Sequence, residues 1–143
     1  MRNSFTLSYS GIFDRLINDI KLSNNGINTS VKALWDTGAT ITCISPEIAK
    51  KLKLKPFGQV SVNNASGDDR SFIYRADISF LNIMFRKKTI YTANIHSQGI
   101  DMLIGMDIIN LGDFAITNKN GNTKFTFEIP SSRDIDFVKE NKK

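Results

Sequence analysis

The residues with the most chemical content are Ala33-Leu34-Trp35-Asp36-Thr37-Gly38-Ala39-Thr40. Three apolar residues run directly into a carboxylate, and a hydroxyl and a glycine follow it. The pattern reads as a buried strand that delivers Asp36 onto a tight turn. Gly38 lets the backbone turn and approach whatever the carboxylate serves. The Thr37 hydroxyl can hydrogen-bond across the turn or to a neighbouring chain. Beyond the turn, Ile41-Thr42-Cys43-Ile44 alternates back into β structure. A carboxylate at the mouth of two apolar strands costs free energy unless something pairs or uses it. One pairing is purely local, with Asp36 capping backbone N–H groups of its own turn. The other use is proton transfer in a reaction.

Other reactive groups are few. The chain holds one cysteine, Cys43, and one histidine, His96. Together they could form a nucleophile pair, but Cys43 lies in an alternating apolar stretch that suits a buried, inert thiol. They cannot make a structural zinc site, so no metal is expected. The net charge of +5 is partly clustered, at Lys50, Lys51, Lys53 and Lys55, at Arg86-Lys87-Lys88 and at Lys142-Lys143. Such clusters can attract nucleic acid. Without interleaved aromatics or a nucleic-acid motif they read as solvated surface, and no nucleic-acid partner is expected.

At 143 residues, 41% hydrophobic and 23% charged, the chain has the proportions of a single globular domain spanning 1–143. Its expected core covers about 15–130, followed by a short tail over 131–143. It is short for a two-lobed enzyme. No apolar run approaches a membrane span, and the first residues lack the apolar stretch of a signal peptide. The lone cysteine rules out an internal disulfide framework. These features favour a cytoplasmic protein without a membrane partner.

The remaining sequence supplies the elements that must position Asp36. Residues 4–10 alternate as a strand that Gly11 ends. Residues 15–22 fit either a helix or a strand by spacing. Asn24-Asn25-Gly26 is a hairpin signal, after which Ile27 to Trp35 forms a strand ending at Asp36. Ser45-Pro46-Glu47 opens a short helix, with Ser45 as N-cap and Pro46 in the first helical position. Gln59 to Ala65 and Ser71 to Phe80 alternate as strands around a polar turn over 66–70. Ile83 to Arg86 and Thr89 to Ile95 read as two strands, with Arg86-Lys87-Lys88 at a turn or edge. Leu103-Ile104-Gly105 is a buried strand, and Met106 to Leu111 a short helix stopped by Gly112. Asp113 to Thr117 and Thr123 to Ile129 flank an Asn-Gly hairpin turn. A last short helix starts at Ser132, with Phe137 and Val138 as its apolar contacts.

Ala-Leu-Trp-Asp-Thr-Gly-Ala resembles the catalytic turn of the retropepsin-like (retroviral-type) aspartic proteases. Leu103-Ile104-Gly105 with the following Met106-Asp107-Ile108-Ile109 is similar to the strand and helix that close the family's half-site. The resemblance covers about residues 15–130 and points to a non-viral, bacterial member. It implies an all-β fold with one or two short helices: a closed β-barrel, like an acid-protease half-lobe, with a flap hairpin. It also favours a strand over 15–22 and makes the hairpin after Asp36 the flap.

Under this resemblance Asp36, Thr37 and Gly38 would be catalytic. Ala39, Thr40, Ser66, Gly67, Asp68 and Asp69 would meet substrate, and Trp35, Leu103, Ile104 and Gly105 would support the site. Hydrolysis by such a site needs two carboxylates sharing a proton, and the chain has a single Asp-Thr-Gly. The resemblance therefore implies an aspartic endopeptidase that works as a homodimer on peptide or protein substrates, with one Asp36 from each chain and no cofactor. Thr37 would join the two turns, and the chain termini would form much of the remaining interface. Asp107 stands where the family carries Asn or Asp, and is expected to bond nearby backbone. Met106 and Thr40 replace an Arg and an Asp that pair in the viral enzymes, and the flap tip is acidic rather than glycine-rich. A catalytically silent peptide-binding module of the same fold is the alternative, and a basic nucleic-acid-binding β domain a further one.

Overall fold

Alternation of apolar and polar residues with period two governs most of this chain, and the fold follows from it. The structure, a computed structural model, describes residues 2–64 and 67–142, with backbone alone at 62–64 and 67–69. Ten strands run in order: β1 (Asn3–Ser8), β2 (Ile17–Asn24), β3 (Ile27–Trp35), β4 (Cys43–Ile44), β5 (Gly58–Asn64), β6 (Gly67–Phe80), β7 (Ile83–Thr92), β8 (Met102–Ile104), β9 (Asp113–Thr117) and β10 (Lys124–Ile129). Three short helices are interspersed: α1 (Pro46–Lys51), α2 (Met106–Ile109) and α3 (Phe137–Glu140).

The strands make two sheets. One is three-stranded in the order β1-β10-β9, so the N-terminal strand pairs with the last. The other runs β2-β3-β8-β4-β7-β6-β5 and closes on itself where β2 pairs with β6, with Leu22 opposite Ile78. Closure leaves a six-stranded barrel, and β5 stands outside it on β6 as one arm of a long hairpin. This is the all-β, closed-barrel architecture expected for a retropepsin-like chain.

Inward positions alternate along β3, where Thr29, Val31, Ala33 and Trp35 are buried, and along β2 at Ile20 and Leu22. The choice over 15–22 is thus resolved in favour of a strand, which runs two residues later, over Ile17–Asn24. The turn between β2 and β3 holds Asn25 at φ 48 and Gly26 at φ 83, the positive values that favour the Asn-Gly pair. Phe5 of β1 joins Trp35, Phe80, Phe125 and Phe127 in an aromatic cluster between the sheets, with ring centroids 5.4–6.4 Å apart in the contacting pairs. α1 begins as expected: Ser45 caps it by accepting from Ile48 N–H, Pro46 is its first residue, and Ile48 and Ala49 face the core.

Three local expectations are corrected. The polar turn over 66–70 is narrower, because β6 already starts at Gly67 and pairs Asp69 with Val62 and Arg70 with Ser61. Ladder hydrogen bonds outweigh the weak strand preference of Gly and Asp there. Arg86-Lys87-Lys88 is not a turn: β7 is continuous through it, with a register shift opposite Ala76–Ile78. Lys87 adopts φ 48, and its N–H donates to the Asp77 carboxylate at 2.7 Å, so a side chain replaces a ladder partner. The last helix starts later, at Phe137, capped by Asp136, and Phe137 and Val138 are exposed rather than packed.

Candidate active site

Asp36 directly follows β3. β3 runs parallel to β8, with Trp35 opposite Ile104, and Asp36 N–H donates to the Ile104 carbonyl at 2.9 Å. β8 in turn pairs antiparallel with β4, the strand that carries the chain away from the turn. Both limbs of the Asp36 turn are therefore held by one central strand. Leu103 and Ile104 belong to that strand, and Trp35 fills the core behind it.

Within the turn, Asp36 is half-buried, Thr37, Gly38 and Thr40 are exposed, and Ala39 is half-buried. The Asp36 Oδ1 atom accepts the Gly38 N–H at 2.8 Å, and the Asp36 carbonyl accepts Ala39 N–H at 3.1 Å. The local cap read as one alternative from sequence is thus present. Among the described residues it uses one carboxylate oxygen on one N–H and leaves the other without a hydrogen-bond partner. Thr37 makes no side-chain hydrogen bond among the described residues.

A second polar cluster sits directly beneath. Ala39 and Thr40 carbonyls accept from Met106 and Asp107 N–H at 2.8 and 3.2 Å, which ties the turn to the start of α2. The Asp107 carboxylate accepts both Thr42 N–H and the Thr42 hydroxyl, at 3.0 and 2.7 Å. That hydroxyl accepts Gly105 N–H at 3.1 Å. Gly105 is required by space rather than by φ. A Cβ there would stand 2.8 Å from the Ala39 carbonyl oxygen and the Ile41 carbonyl carbon. Thr42 is the supporting residue that sequence reading did not single out. Its position in an apolar alternation marked it only as a buried strand residue.

Trp35 is 5% exposed, stacks with Phe114 at 5.7 Å, and donates its indole N–H to Asn18 Oδ1 at 2.8 Å. Asn18, on β2, is a further support with no signal in sequence. Cys43 and His96 are not brought into a nucleophile pair. Cys43 is buried against Ile95 and Ile100, and burial pushes its thiol up to about 11, whereas His96 is exposed in a 3-10 turn. A thiol so held is not a thiolate near neutral pH. Among the described residues no three His, Cys, Asp or Glu side chains come together as a metal site, and no helix is long and apolar enough to cross a membrane.

The hairpin of β5 and β6 follows the turn in sequence and projects from the barrel by its β5 arm. Ser66 lies outside the described residues, and Gly67, Asp68 and Asp69 are placed by backbone only, opposite Asn64, Asn63 and Val62. The termini are paired within the chain, β1 against β10.

Comparison with known proteins agrees with this architecture. A family described as "gag-polyprotein putative aspartyl protease" matches residues 20–111, a span that holds both the Asp36 turn and α2. The fold is similar to that of a retropepsin-like aspartic protease from Rickettsia conorii, with a TM-score of 0.54 at 15% identity over 90% of this chain and 96% of that one. Simian foamy virus (mac) protease aligns with a TM-score of 0.47 at 17% identity, over 65% of this chain and 92% of that chain. EIAV protease in complex with an inhibitor aligns with a TM-score of 0.49 at 15% identity, over 68% and 86%. No curated protein matches the chain.

Proposed function

Because the chain belongs to the gag-polyprotein aspartyl protease family and has its retropepsin-like fold, we propose that it is an aspartic endopeptidase built from two copies of itself. It is a single domain whose Asp36 meets the Asp36 of a second copy across a two-fold axis. The observation that carries this reading is the state of the turn. It presents one half-buried carboxylate, braced from below and bonded among the described residues only to its own Gly38 N–H, with an exposed Thr37 beside it. One such carboxylate per chain is half of a centre.

Like charges held that close cannot both ionise, so the pair shares one proton and titrates as a unit, as aspartic protease pairs do in general. The ionised carboxylate takes a proton from water as the water oxygen attacks the scissile carbonyl carbon. The protonated carboxylate gives its proton to the carbonyl oxygen. The resulting diol collapses, a proton passes to the amide nitrogen, and the C–N bond breaks. No cofactor takes part. Thr37 links the two turns. The β5–β6 hairpin, with Gly67, Asp68 and Asp69 at the start of β6, closes over an extended peptide that also runs past Ala39 and Thr40.

The test is cleavage of a denatured protein substrate across pH by the wild type and by Asp36→Asn. The expected result is activity on the acid side of neutrality that disappears in the variant. Undiminished activity in the variant would remove Asp36 from the chemistry. Peptide binding by both proteins without cleavage by either would favour the silent binding module.

A further inference from the structure

The flank of the β5–β6 hairpin meets α1 in a groove that the proposed chemistry does not use. Its volume is about 380 Å³. Lys50 of α1 and Arg70 of β6 line it together, although twenty positions separate them in sequence. Both are exposed, and neither has a carboxylate partner within 4.0 Å among the described residues, where the ion pairs are Arg133–Glu128 and Lys139–Asp136. Phe72 and Tyr74, alternating with buried Ser71 along β6, form one wall at a ring distance of 6.5 Å. Ala49 and Leu54 supply an aliphatic floor. Tyr74 is only 9% exposed, yet its hydroxyl has no hydrogen-bond partner among the described residues, and no buried side-chain oxygen or nitrogen there is left wholly unsatisfied. The hydroxyl therefore reaches the groove it lines.

We propose that this groove docks an acidic stretch of an extended peptide, with a carboxylate between Lys50 and Arg70 and an apolar side chain against Phe72. Guanidinium and ammonium groups on one concave surface select carboxylates, and the Tyr74 hydroxyl offers a further donor. Lys51, Lys53 and Lys55, all exposed and following directly on Lys50, extend the positive field that draws such a peptide in; Glu47 is the one acidic residue of α1. A single-stranded nucleic acid fits less well. Such strands need successive aromatic platforms, and the groove exposes one, Phe72. The proposal rests on the endopeptidase reading only in making the docked peptide part of a substrate: it assigns that substrate an acidic stretch.

The test measures binding calorimetrically, at low salt, with the full chain carrying Asp36→Asn, so that binding is read without cleavage. The probes are acetyl-Glu-Glu-Leu-Phe-Glu-Glu-amide and its Gln-for-Glu counterpart. The acidic peptide should bind about tenfold or more tightly than the neutral one, and weaken as salt is raised. Lys50→Glu with Arg70→Glu should remove that preference, whereas Lys119→Glu, the same charge change on the β9–β10 hairpin, should keep it. Equal binding of the two peptides, an effect of Lys119→Glu as large as that of the pair, or tighter binding of an oligothymidylate would each overturn the proposal. Loss of proteolysis in the wild type would instead overturn the endopeptidase reading, and leave this binding result to stand by itself.

Discussion

Asp36 and Asp107 flank the same pair of parallel strands and are treated in opposite ways. Asp107 lies in α2, just past β8, and its Oδ1 atom is doubly engaged. It takes both polar hydrogens of Thr42, whose hydroxyl is in turn bonded to Gly105 N–H. Asp36 lies just past β3, and among the described residues only the Gly38 N–H of its own turn reaches its carboxylate. A connected hydrogen-bond network fixes geometry. A carboxylate with unused acceptor capacity, held on such a base, is available to a partner or a reactant. Under the proposed function the difference separates a layer that holds from a layer that acts, and each can be disturbed without the other.

The holding layer should show the largest effects. Gly105→Ala forces a Cβ into the Ala39 and Ile41 backbone at 2.8 Å, and neither carbonyl can move without opening the turn. We expect a loss of about 3 kcal/mol or more in urea unfolding. A stable Gly105→Ala protein would show that the turn and β8 are less tightly joined than their contact distances imply. Thr42→Val should cost about 2 kcal/mol, because buried Gly105 N–H loses its acceptor and the Asp107 carboxylate keeps only the Thr42 N–H. Thr42→Ser should recover most of it, and an equal loss in both variants would point to packing of the Thr42 methyl instead.

Cys43 on β4 stands between the two layers and reports on both. Its thiol is pushed up to about 11 from an ordinary 9.0, by burial first, with the charges of Asp107 and Asp36 adding and a hydrogen bond from Leu103 opposing. The unfolded thiol ionises before the folded one. Its contribution to stability is therefore intact below about 9 and is lost as pH rises toward about 11. Unfolding midpoints of wild type and Cys43→Ala should converge over that window, by about 2 kcal/mol at most. A constant gap would mean that the thiol is not held protonated.

The acting layer should show the smallest effect on the monomer. Thr37→Val should change its unfolding free energy by no more than about 0.5 kcal/mol, since the hydroxyl is exposed and makes no bond among the described residues. If the hydroxyl links two chains, the same variant should lower activity at a given protein concentration and recover it as concentration rises. A large monomer effect would assign Thr37 to the holding layer.

Much of this was legible in the sequence because the signals are local. Asn25-Gly26, Ser45-Pro46 and the run into Asp36 each specify backbone geometry by residues next to one another. What was not legible depends on pairs far apart. β1 meets β10 across the length of the chain, and Phe5 enters the Trp35 cluster only through that pairing. Asn18 and Thr42 acquire their roles from a neighbouring strand and from α2. The β7 bulge depends on Asp77 standing opposite Lys87. The basic residues looked free of aromatics because Phe72 lies beside Lys50 in space and not in sequence.

The most direct measurement of the central claim is activity after wild type and Asp36→Asn are unfolded together and refolded as mixtures at constant total protein. If each centre needs an Asp36 from both of two chains, mixed dimers are dead and activity falls as the square of the wild-type fraction. Activity proportional to the wild-type fraction would show that one chain carries a complete centre, and would contradict the account.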